Sequence, residues 1–191
     1  MSLPATNALP SIICGGNPVS LPDNPITLAL RTLHRTYVSI ADRPGFQEAV
    51  TQGEIDSRFM ICRVALRDPD GNEILVEDRL EPLIHELCIE APRRLMRGAD
   101  YTFRNWDFNG TIALHHGGES VRIDTDFSAI SVRFAKQTLI AALLECAEQA
   151  VDLMQRLLVL DASYPYPVRR YAQELVEARR SYEAAYGAND G

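Results

Sequence analysis

The chain has 191 residues, 46% of them hydrophobic and 24% charged, the balance of an ordinary globular protein. A chain this long is expected to form one domain, hiding roughly 70% of its unfolded surface. The formal net charge of −7 argues against a nucleic-acid module, which needs a basic face against phosphates, and no apolar run approaches the roughly 20 residues that span a bilayer.

Residues 1–25 carry Pro4, Pro10, Pro18, Pro22 and Pro25. They are expected to form an extended arm. No Lys or Arg precedes Arg31, and the early apolar run Leu9–Ile13 is short and contains Pro10, so no secretory leader is expected. Ile13 before Cys14 is too large for a lipidation site. The expectation is a cytoplasmic protein without membrane contact.

Ile26, Leu28 and Leu30 alternate, so residues 26–40 are read as strand, with His34 an ordinary surface histidine. A short helix should run from Pro44 to Gly53. In RFMICRVALRD, residues Met60, Cys62, Val64 and Leu66 share one face, with Arg63 and Arg67 on the other. Asp68-Pro69-Asp70-Gly71-Asn72 is a turn, with Gly71 accepting positive φ and the Asp side chains capping amides. EILVE returns as the partner strand.

A helix is expected over about 79–97. Asp78 would cap it, with Glu81 as the reciprocal partner and Pro82 in the first turn. Leu80, Leu83, Ile84, Leu87 and Cys88 make its apolar stripe. Pro92 should end or kink it, and Gly98 should close RRLMRG. Residues 101–134 read as an antiparallel meander with turns at Asn109-Gly110, Gly117-Gly118 and 125–128. The 136–160 helix carries two apolar rows, led by Leu139 and by Ile140. So wide a face suits the back of a sheet and leaves room for a homodimer. The last helix, about 167–186, turns Val168, Tyr171, Ala172, Leu175 and Tyr182 inward, with Arg170–Glu174 and Arg179–Glu183 pairs outside.

The fold class is therefore α+β. An antiparallel β-meander sheet of about five to seven strands, within 58–134, is covered on one face by long C-terminal helices. Residues 26–191 are taken as a single domain.

Among candidate chemistry, Cys14, Cys62, Cys88 and Cys146 contain no CxxC pair, so a zinc ribbon or redox motif is excluded. Buried reduced thiols are expected. In "HELCI", His85 and Glu86 begin like the zinc motif HExxH, but Ile89 stands where the second ligand belongs. His85 is expected on the polar flank beside Glu81. In "ALHHGGESV", a loop at Gly117-Gly118 would pair His116 with Glu119 and His115 with Ser120. Adjacent strand residues face opposite ways, so His115 and His116 cannot share a metal. No metal or cofactor is expected. Asp124 and Asp126 are read as turn caps, and Asp100 and Asp107 flank the same sheet.

Two surfaces remain. From Asp68 to Glu90 there are eight carboxylates against Arg79 alone, a surplus equal to the whole net charge. Within it Glu73, Glu77, Asp78, Glu81 and Glu86 are the candidate contacts for a basic protein partner. Acidic, cytoplasmic and without catalytic motifs, the chain resembles bacterial immunity proteins in kind, not in residues. That resemblance implies a non-enzymatic protein that neutralises a basic partner. The alternative is an anionic ligand, or an enzyme site, on a polar sheet face around His115, Ser120 and Arg122. Arg104, Arg133, Tyr101 and Trp106 would furnish the rest of that face.

Overall fold

The computed structural model describes residues 25–40, 42–55, 60–105, 110–160 and 167–187. The expected N-terminal arm with Cys14, and the stretch holding Trp106, Asp107 and Asn109, lie outside the described residues.

The fold is α+β with two antiparallel four-stranded sheets. The first contains β1 (Ile26–Arg31), β2 (Tyr37–Ser39), β3 (Ile61–Arg67) and β4 (Glu73–Arg79), in the order β2-β1-β3-β4. Its alternating residues point as the sequence pattern requires. Ile26, Leu28, Leu30, Met60, Cys62, Val64, Leu66, Ile74 and Val76 are all buried. The β3–β4 turn follows its chemistry closely. Gly71 has φ +85, and the Asp68 carboxylate accepts the amides of Asp70 (3.0 Å) and Asn72 (2.9 Å). Burial alone would raise the Asp68 carboxyl. The hydrogen bonds from Asn72, Arg133 and Asp70 outweigh it and hold the group below the usual carboxylate range.

The second sheet is the meander β5 (Tyr101–Arg104), β6 (Thr111–Gly117), β7 (Ser120–Thr125) and β8 (Val132–Ala135), in sequence order. The single sheet read from the sequence is thus two. The chain leaves β4 directly into a helix, so β4 and β5 share no backbone ladder. Two side-chain bonds link the sheets instead: Asn105 Nδ2 donates to the Glu77 carbonyl (2.6 Å), and the Arg133 amide donates to Asp68 Oδ2 (3.3 Å).

α1 (Arg43–Thr51) starts where expected, capped by Asp42. The helix read over 79–97 is three pieces: α2 (Leu80–Leu83), a π-helical segment Ile84–Glu90, and α3 (Ala91–Met96). Pro92 stands just past the widened turns. Its missing N–H and its ring against the preceding turn are tolerated where the α-helical ladder is already interrupted. Asp78 does not cap this helix. The cap position is Arg79, without a side-chain bond, because Asp78 belongs to β4 and faces inward opposite Cys62. Glu81 consequently has no reciprocal role there. The C-terminus is a Schellman motif: Gly98 has φ +72, its amide bonds Leu95 O, and the Ala99 amide bonds Arg94 O.

α4 (Lys136–Leu160) packs on β1, β7, β8, the π-segment, α3 and α5 (Val168–Tyr186). It therefore covers both sheets. Leu139, Ile140, Leu143, Leu144, Ala147, Ala150, Leu153 and Met154 are buried, and one contiguous apolar cluster runs from β1 to α5. Glu145, Glu148, Asp152 and Gln155 face solvent. Arg170 pairs with Glu174 at 2.8 Å as expected. Arg179 turns instead to Glu148 of α4, with a two-pronged contact at 2.5 and 2.9 Å. A planar fork across two helices outcompetes an exposed base-first i,i+4 pair. Among the described residues no helix is long and apolar enough to cross a membrane.

Candidate functional site

The acidic segment divides among three environments. Glu73 and Glu77 project from the outer face of β4, paired with Arg67 at 2.7 Å and with Arg63. Arg63 also lies 3.8 Å from the Tyr37 ring centre. Asp78 is 1% exposed and accepts the Arg79 amide at 2.7 Å. A carboxylate so placed meets no partner. Glu81 and Glu86 alone come together, at a cleft of about 490 Å³ between the start of the helix after β4 and α5. Arg79, Glu81, Pro82, His85, Glu86, Arg170 and Tyr171 line it.

The cleft owes its shape to the widened helix. A π turn spreads the residues that an α turn would stack. His85 therefore leaves the flank of Glu81, where the sequence spacing put it. Its Nδ1 lies 3.2 Å from Glu86 Oε1, and its Nε2 lies 3.2 Å from Glu174 Oε2. The ring packs 5.9 Å from that of Tyr171. Glu81 accepts a hydrogen bond from the Tyr171 hydroxyl, and Glu86 accepts one from Tyr101. Burial, then the carboxylate each one bonds, pushes both phenols well above the ordinary tyrosine value. These hydroxyls stay protonated donors and are not nucleophiles. No serine, threonine or cysteine lines the cleft.

Arg170, Tyr171 and Glu174 complete the site from more than 80 positions away. The sequence marked Arg170–Glu174 as a pair and Tyr171 as inward. Nothing local linked them to His85.

The second surface is the outer face of the meander. The hairpin turns on Gly118-Glu119, not Gly117-Gly118. Ser120 therefore pairs with Gly117, Val121 with His116 and Arg122 with His115. Gly118 alone takes positive φ, at +71, as a II′ turn requires, while Gly117 continues the strand. This corrects two expected contacts. Ser120 lies within its own hairpin, its hydroxyl 3.5 Å from Gly117 O, and not beside His115. His116 meets Lys136 Nζ at 3.5 Å and not Glu119. The two histidines do face opposite ways.

His115 Nε2 sits 3.2 Å from Asp124 Oδ2, and Arg122 reaches the same oxygen at 2.9 Å. Asp100 lies 3.7 Å from His115 Nδ1. Ser131 donates to Asp124 Oδ1 at 2.5 Å. That bond first, then the charges of Arg122 and His115, hold the Asp124 carboxyl below its ordinary range against a burial effect of opposite sign. Asp126 takes the Thr111 amide at 2.8 Å, a backbone-capping use. Among the described residues no group of three or more His, Cys, Asp or Glu stands in position to hold a metal ion.

No family model matches the chain, and no curated protein or solved structure matches it either.

Proposed function

We propose that this protein is a non-enzymatic interaction module that takes a basic side chain of a protein partner into the cleft around Glu81, His85 and Glu86. The observation that carries this reading is the convergence of two carboxylates of the acidic segment on one recess. Its volume lies in the range of sites that enclose a small group. A carboxylate has about four acceptor positions. Glu81 spends one on Tyr171, and Glu86 spends two, on Tyr101 and His85. Arg170 against Glu174 gives an internal example of a guanidinium seated at this place. The acidic surplus on the same segment would draw a basic partner in. The resemblance in kind to immunity proteins makes a basic toxin-like protein in the cytoplasm the first class of partner to try.

The test is fluorescence anisotropy with a labelled hexa-arginine peptide. E81Q/E86Q should bind about tenfold more weakly, a loss of roughly 1.4 kcal/mol, with a flatter salt dependence. E73Q/E77Q removes the same charge from the outer face of β4 and should change little. Equal losses in the two double variants, or none in E81Q/E86Q, would overturn the assignment of the cleft.

A further inference from the structure

The meander carries a feature of opposite sign to the cleft. His115 pairs directly with Arg122, and Arg122 pairs directly with Arg133. One row therefore crosses three adjacent strands, each roughly 4.8 Å from the next. All three side chains stand on the outer face. Those of His115 and Arg122 are 41% and 49% exposed, and Arg133 is exposed on the edge strand β8. Two like charges directly opposite each other weaken an antiparallel pair. The local acids do not cancel them. Asp124 and Asp100 lie at the His115 end, and Asp124 is shared among His115, Arg122 and Ser131. Asp68 spends its oxygens on the amides of Asp70, Asn72 and Arg133 and on the Asn72 side chain. Among the described residues no carboxylate pairs with the Arg133 guanidinium.

We infer that this row is a docking face for an acidic, extended polypeptide segment of a partner protein, with Arg122 and Arg133 as the carboxylate-binding forks and His115 as a flanking donor. Charge complementarity selects the occupant. Guanidinium forks match carboxylates in two-pronged geometry. The row spans two strand spacings, which about three residues of extended chain would cross. The partner lies on the face and not along the β8 edge, because Asp68 already occupies the Arg133 amide. A polynucleotide is disfavoured by the net charge of −7, which repels a long polyanion. The inference is independent of the cleft: it uses another sheet and the opposite charge.

The experiment is anisotropy with a fluorescein-labelled hexaglutamate peptide at low ionic strength, run beside a labelled thymidine decamer. The wild type should bind the peptide. Arg133→Gln and Arg122→Gln should each weaken it about tenfold, whereas Arg133→Lys should keep part of the affinity. Arg104→Gln, on the same face but in another row, should change it less than twofold. The thermal midpoint of Arg133→Gln should equal or exceed that of the wild type, since a like-charge pair is relieved. A residue retained for the fold alone would give the reverse, a lowered midpoint with affinity unchanged, and that result overturns the inference. So do equal losses in Arg104→Gln and Arg133→Gln, absence of peptide binding, or tighter binding of the decamer.

Discussion

Tyr171 is a core residue with a polar end. Its ring is buried under α5, and its hydroxyl holds Glu81 at the cleft wall. Tyr171→Phe keeps the ring and leaves the carboxylate without that donor. The expected cost is about 1–2 kcal/mol in denaturant unfolding. The same residue shapes the alkaline limb. Its folded pKa lies above the unfolded value of about 10, so the proton is held more tightly in the native state. That stability is complete below pH 10 and is lost as pH rises through the folded value. Unfolding free energy should thus decline above pH 10 in the wild type and decline less steeply in Tyr171→Phe. At this scale the sequence was half legible. The inward face of Tyr171 followed from helical spacing. Its partner did not, because Glu81 lies 90 positions earlier and no local pattern reports a contact between distant helices.

The β6–β7 hairpin shows what hydrophobic patterning can and cannot resolve in an element. Moving the loop from Gly117-Gly118 to Gly118-Glu119 slides the ladder yet keeps Ile112, Leu114, Val121 and Ile123 on one face. All four are buried. Period-2 alternation detects a slip that exchanges faces, and this one exchanges none. Turn chemistry decides the register: one left-handed residue suffices for II′, whereas I′ needs two. The two glycines should therefore differ. Gly118→Ala forces a side chain into φ +71 and should cost roughly 1–2 kcal/mol. Gly117→Ala brings a Cβ only to 3.2 Å from the Ser120 hydroxyl, which can rotate, and should cost less. Equal thermal midpoints for the two variants would refute this turn. α4 was more readable, since a wide stripe over 25 residues has one interpretation. The π-segment was not. Leu83, Ile84, Leu87 and Cys88 are buried there, and the same residues would be buried in an α-helix.

Across the whole molecule, one helix closes two sheets, and three thiols lie within the core it makes. Cys62, Cys88 and Cys146 come from β3, the π-segment and α4, and all are buried and unpaired. Burial raises the Cys62 thiol; a hydrogen bond to Cys146, then burial, raises that of Cys88. Thiolate is the reactive form. A Cys14→Ser protein should therefore not react with an aromatic disulfide reagent while native, and should release three equivalents once unfolded. The burial was readable from apolar periodicity. The presence of two sheets was not, because pattern places a strand on a core without saying which ladder it joins. The π-segment also makes this chain unequally tolerant of length change. Shortening it by one residue would let it close as an ordinary α-helix, at 3.6 residues per turn. Everything beyond would then swing by about 100° around the axis, carrying Ala91, Pro92 and Leu95 off the buried side. Between Leu80 and Met96, substitutions can drift while the residue count is held fixed, so a gap in this stretch should be among the rarest changes in any lineage of this fold.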